Sequence, residues 1–142
     1  MWILLDSEST DHFFFNSALL TDIHKTTDGN ILRMHSSGGF IDTDQQGHFG
    51  CLPVWYHPCA LGNVLSLALL AKKCTVEFNS RKENAFKVHL NHDRILKFTC
   101  RAPGLYAYDA SHDNLHTLRH AFQFLNTVSE NKSFFQERDI CK

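Results

Sequence analysis

Short runs of apolar–polar alternation, each closed by a polar turn, constrain this chain more than any other feature of its sequence. The clearest series is 74–78, 85–90 and 95–100, separated by the polar segments 79–84 and 91–94. A period of two sends alternate side chains to opposite faces, so each run predicts a strand with one face against a core. Residues 2–5 (WILL) predict a further apolar strand that enters a small polar loop at Asp6. Residues 27–30 (TDGN) and 36–39 (SSGG) carry turn chemistry on either side of a strand at 31–35. The segments 46–50 and 52–56 read as two more strands, with 40–45 as a polar turn, so 31–56 predicts one or two hairpins. Pro103-Gly104 opens a last strand at 105–108.

Helical signals are fewer. Residues 60–73 (ALGNVLSLALLAKK) predict the main helix, with Leu65, Leu69 and Leu70 along it and Lys72-Lys73 suited to its C-terminus. Residues 13–24 have mixed periodicity and suggest a short helix or a bent connector. Beyond 110 the character changes: Leu115, Leu118, Phe122 and Leu125 fit a helix, and 129–142 is polar and charged. The pattern therefore divides the chain into a mostly β domain over 1–110 and a connector over 111–142.

Composition narrows the function classes. A chain of 142 residues supplies one core, and its twelve Phe, two Trp and three Tyr carry too much apolar area for a disordered state. Fourteen Lys+Arg against fifteen Asp+Glu leave no basic excess, which argues against direct nucleic-acid binding. No apolar run approaches the ~18 residues of a membrane span. The opening run stops at Asp6 and lacks the basic flank of a signal peptide. The five Cys are widely spaced with no CxxC pair, which suits a reducing compartment. An intracellular, cytoplasmic location is expected.

Ten His are the odd figure. His57-Pro58-Cys59 and the pair His89 and His92 are the tightest local groupings. His112, His116 and His120 recur at the four-residue spacing that would align three imidazoles on one helix face. A closed metal site draws ligand pairs from two turns, and no second pair is evident. No metal and no cofactor are expected, and the histidines are read as surface groups.

Asp6 is the most informative acidic residue. A carboxylate leaving a buried strand for a loop of hydroxyl residues (Ser7, Ser9, Thr10) is partly desolvated and can be held by loop N–H groups. Two such carboxylates sharing a site could not both ionise, and the resulting acid/base pair can activate water against a peptide bond. The plainer alternative is an Asx-type hydrogen bond that only shapes the loop.

The order of features resembles a retropepsin-like aspartic protease domain, most closely the version in Ty1/copia-type retrotransposon Pol polyproteins. The segments that carry the resemblance are 2–10 (WILLDSEST), 63–67 (NVLSL) and 103–109 (PGLYAYD), with the tail from Thr127 onward similar to the stretch leading toward integrase. The resemblance implies a mostly β fold closed into an acid-protease barrel, with one or two short helices and a helical or irregular C-terminal tail. It also implies an endopeptidase that processes its own precursor as a homodimer, each chain supplying Asp6 as the catalytic carboxylate, within the cytoplasm or virus-like particles. Ser7, Glu8, Ser9 and Thr10 would form the active-site loop, with Ser7 bracing it across the dimer. A hairpin around Ser37, Gly38 and Gly39 would be the flap over a polyprotein peptide substrate, with His35 and His48 in or near it. Glu8 stands where the family pattern has glycine, adding bulk and negative charge beside the pair. The departure leaves a second expectation open: a catalytically inactive domain with an assembly role in the polyprotein, or a domesticated remnant.

Overall fold

The structure, a computed structural model, describes residues 1–36, 38–90, 94–123 and 125. Nearly half of these residues lie in strands, and two short helices accompany them, so the fold is mostly β as the alternation predicts. The strands are β1 (Trp2–Asp6), β2 (Phe13–Phe14), β3 (Thr21–Lys25), β4 (Leu32–Ser36), β5 (Gly39–Thr43), β6 (Gln45–Phe49) and β7 (Leu52–Tyr56), followed by β8 (Asn63–Ser66), β9 (Val76–Phe78), β10 (Ala85–His89), β11 (Ile95–Ala102) and β12 (Leu105–Asp109). The helices are α1 (Leu67–Ala71) and α2 (Leu115–Ala121), and a 3-10 turn spans Ser17–Leu19.

Ten strands form one sheet in the order β3-β6-β7-β2-β8-β1-β12-β11-β10-β9, and β4 and β5 form a separate hairpin. β1 lies inside the sheet, antiparallel to β12 and parallel to β8, with Asp6 opposite Ser66. Ile3 and Leu5 of β1 are buried, as alternation requires of a strand with one face on the core. Among the described residues the sheet does not close into the barrel expected from the resemblance. The ladder ends at β3 and β9, and closure would need these two to pair. β3 is exposed along its whole length, and its register against β6 shifts between Thr21 and His24. Such a kinked strand with Lys25 at its end is a blunted edge rather than a closing strand.

Two elements differ from the sequence reading for identifiable reasons. Residues 63–66 belong to a strand, not to the helix predicted over 60–73. All four are buried between β1 and β2, and a strand buried on both faces has no in–out alternation to distinguish it from a helix. The helix starts only at Leu67, where the Ser66 hydroxyl caps it by accepting from Leu69 N–H at 3.2 Å. Residues 40–45 are not a turn, since β5 occupies most of them. An Arg33–Asp42 ion pair and a His35–Phe40 ring contact across the hairpin hold β5 in place, and neither resembles an apolar period.

The core continues past residue 110. Leu118, Phe122 and Leu125 are fully buried in the same cluster as Ile3, Phe14, Phe49 and Phe98. The Phe122 ring packs on Phe49 at 4.6 Å, and Phe49 on Phe14 at 5.2 Å. Gly50, at φ 63, turns the chain between β6 and β7 so closely that a Cβ there would lie 2.6 Å from Arg119 O and Phe122 Cβ. Cys51 N–H closes the contact by donating to Phe122 O at 3.3 Å. Of the connector expected over 111–142, residues 124 and 126–142 lie outside the described residues.

Candidate active site

Asp6 is the last residue of β1, half-buried where the strand leaves the sheet. Its Oδ1 accepts from Glu8 N–H at 2.9 Å, the Asx-type bond that folds the chain back on itself. Glu8 does not have the positive φ that would call for glycine; among described non-glycine residues only Asp22 does. The backbone donor at this position is therefore supplied by glutamate without strain. Ser9 and Thr10 complete the loop, with the Ser9 hydroxyl donating to Asp11 O at 2.6 Å and the Thr10 hydroxyl to Asp11 Oδ2 at 3.0 Å. Ser7 is exposed.

Two buried polar side chains fix this loop to the strand beside Asp6. His12, 4% exposed, accepts Ser66 N–H on its Nδ1 at 2.9 Å. The bond requires the neutral tautomer with its proton on Nε2. Burial pushes the His12 pKa down to about 4; neighbouring Asp11 opposes the shift and Lys73 adds to it. The Ser66 hydroxyl donates to Ser9 O at 2.7 Å, a second tie between the same two segments. Three residues back along β8, Asn63 Oδ1 accepts from Phe15 and Asn16 N–H at 3.2 and 3.1 Å, while its Nδ2 donates to Trp2 O at 3.2 Å. Each of these groups would be costly to bury unpaired, so together they specify where the Asp6 loop sits.

The hairpin reaches the same place from the other side. A cleft of about 360 Å³ is lined by Asp6, Glu8, Ser9, Thr10, Asp11 and Phe13, by Leu32–His35 of β4, and by Leu61. The structure thus brings together five of the residues singled out in the sequence: Asp6, Glu8, Ser9 and Thr10 of the loop and His35 on the strand that leads into the expected flap. Ser7 does not line the cleft, and neither do Gly38 and Gly39 at the hairpin tip. Ser37 lies outside the described residues. The bidentate Arg33–Asp42 pair, at 2.8 and 3.1 Å, stiffens the hairpin and holds the Asp42 carboxyl below the usual carboxylate range. Thr43 anchors its base by donating to Tyr56 O at 2.6 Å.

Leu61, one of the lining residues, is 65% exposed. Sequence reading missed His12 and Asn63 as parts of the site. The available signal for His12 was its place between Asp11 and the aromatic run Phe13–Phe14, where an imidazole has little chance of staying in water. The three-histidine helix face is not formed, because α2 begins at Leu115 and leaves His112 ahead of it. Among the described residues no group of three His, Cys, Asp or Glu side chains is placed to hold a metal ion. Cys51, Cys59 and Cys100 are free thiols.

Fold and cleft together define a mostly β domain with a strand-end carboxylate facing a hairpin. Comparison with family models, with curated proteins and with solved structures finds no match for this chain. Among the described residues no helix is long and apolar enough to cross a membrane.

Proposed function

We propose that the chain is a retropepsin-like aspartic endopeptidase domain of a Ty1/copia-type retrotransposon polyprotein, cutting its own precursor as a homodimer. The observation that carries the proposal is the meeting of Asp6 and the hairpin strand β4 across one cleft, from opposite ends of the first third of the chain. The parallel pairing of β1 with β8, which leads directly into α1, also supports it, because the resemblance rests on the segments 2–10 and 63–67. The sheet in this reading is open.

Asp6 needs a second carboxylate to work. Two copies of the chain bring two Asp6 side chains together, and mutual repulsion keeps one of them protonated. The ionised member takes a proton from water as its oxygen attacks the scissile carbonyl carbon. The protonated member gives its proton to the carbonyl oxygen, forming a neutral tetrahedral gem-diol with no covalent enzyme intermediate. Proton transfer to the amide nitrogen then lets the C–N bond break. The exposed Leu61 offers apolar area in the cleft for an extended peptide under the hairpin.

A second reading is favoured by one observation: the Glu8 side chain lines the cleft beside Asp6. An additional anion there opposes ionisation of the pair, and the domain would then serve assembly without catalysis. The deciding experiment expresses a precursor with this domain and its flanking segments as wild type, Asp6→Asn and Glu8→Gly. Fragments from the wild type that vanish in Asp6→Asn support the protease. Cleavage only in Glu8→Gly supports the silenced domain, and identical uncut precursors in all three reject the enzyme altogether.

A further inference from the structure

Charge in the Asp6 cleft is unevenly matched. Asp6, Glu8 and Asp11 all line it, and among the described residues none of the three forms an ion pair with a basic side chain. The cations that the hairpin brings to the lining are Arg33 and, in its protonated form, His35. Arg33 is already held by Asp42, through the bidentate contact at 2.8 and 3.1 Å, so that pair adds no net charge. Asp11 Oδ2 accepts from a neutral donor, the Thr10 hydroxyl, at 3.0 Å. Lys73 acts electrostatically on buried His12 but does not line the cleft.

Glu8 is tied to Asp6 by the backbone. Its N–H donates to Asp6 Oδ1 at 2.9 Å, and the residue is exposed at the cleft. The same cavity has apolar walls. Phe13 is opposite Val64 of β8, and Asp6 is opposite Ser66 two residues further along, so Phe13 and Asp6 leave the sheet on the same face. Leu61 lines the cavity too and is open to solvent. A volume of about 360 Å³ is at the small end for ligand clefts, so the cavity suits a few side chains of an extended peptide rather than a folded surface.

We propose that the cleft selects an extended peptide carrying a lysine or arginine side chain beside a large apolar one, with Glu8 and Asp11 reading the cation. The proposal rests on the protease reading of this cleft and names its substrate class. Phe13 and Leu61 take the apolar side chain, and the two carboxylates meet the ammonium or guanidinium at the rim. Glu8 then acquires a positive role. A bound cation cancels the extra anion that opposes ionisation of the Asp6 pair, whereas a neutral peptide leaves that anion unbalanced. Glu8 thereby changes from a group that silences the site to one that makes it selective. Because Glu8 is exposed, water and salt screen its field, and the discrimination is about fivefold rather than thousands.

The test measures binding with the full Asp6→Asn chain, which cannot cut, and cleavage with the wild type. Fluorescently labelled peptides of otherwise uncharged sequence carry a central leucine and, on one side of it or the other, lysine, its uncharged analogue norleucine, or glutamate. Anisotropy at low salt should show lysine peptides bound about fivefold more tightly than norleucine peptides, with glutamate peptides weakest. The preference should shrink in about 0.5 M salt and disappear when Glu8→Gln and Asp11→Asn are added together. Glu8→Gln alone, at an exposed position, carries the test if the combined variant does not fold. No binding of any peptide, equal binding of lysine and norleucine peptides, or a lysine preference that survives both substitutions overturns the proposal. Equal cleavage of lysine and norleucine peptides by the wild type overturns it too, and leaves the protease standing. Selective binding of lysine peptides that the wild type never cuts supports the cation-reading cleft and rejects the protease.

Discussion

Acid should destabilise this protein through His12, and the size of the effect follows from its surroundings. The imidazole is buried, its Nδ1 already occupied by Ser66 N–H, so the folded chain takes up a proton there only near pH 4. In the unfolded chain the same group titrates near its ordinary 6.5. Between those values the unfolded state binds the extra proton, and linkage makes stability fall as pH falls. The contribution is complete above pH 6.5 and is lost as pH drops toward the folded value of about 4. At about 1.4 kcal/mol for each pH unit separating the folded from the unfolded value, the loss amounts to about 3 kcal/mol, spread over that window. His12→Asn is the matched control, because the amide oxygen can accept from Ser66 N–H and does not titrate. Urea unfolding of both proteins at fixed concentration from neutral pH to pH 4 cancels the carboxylates they share. The wild type should start more stable, through its ring packing, and lose its advantage by about 3 kcal/mol on acidification. Parallel pH profiles for the two proteins would refute the reasoning. Because His12 ties the Asp6 loop to Ser66, the same protonation should set the lower pH limit of any activity at Asp6.

Two further perturbations test the packing around α2. Gly50→Ala combines a positive φ with a backbone clash at 2.6 Å and should lower unfolding stability by about 3 kcal/mol, measured by urea denaturation; an unchanged midpoint would mean the turn relaxes freely. Phe122→Ala empties a fully buried site against Phe49 and should cost about 3–5 kcal/mol in the same assay, whereas a loss below about 1 kcal/mol would separate α2 from the core energetically.

The sequence by itself determined the strand-rich class and most of the strand positions. Residues 2–5, 85–90 and 105–108 alternate or carry turn chemistry at their ends, and these are local signals that survive without tertiary context. Asp6 was legible for the same reason, since a carboxylate at the end of an apolar strand is a property of neighbours in the chain. The strand at Asn63–Ser66 was not legible, because complete burial erases the alternation that marks a strand and leaves a run that also suits a helix. His12, Asn63 and Ser66 were hidden as a brace, since their partners lie across the fold and no spacing rule connects them. Only the tertiary structure decided that the sheet stays open, that α2 joins the core, and that β4 faces Asp6 across a cleft. Local pattern fixes which way a side chain points from its own strand or helix. Which other side chain it meets is set by long-range pairing and packing, and the chemistry around Asp6 depends on those meetings.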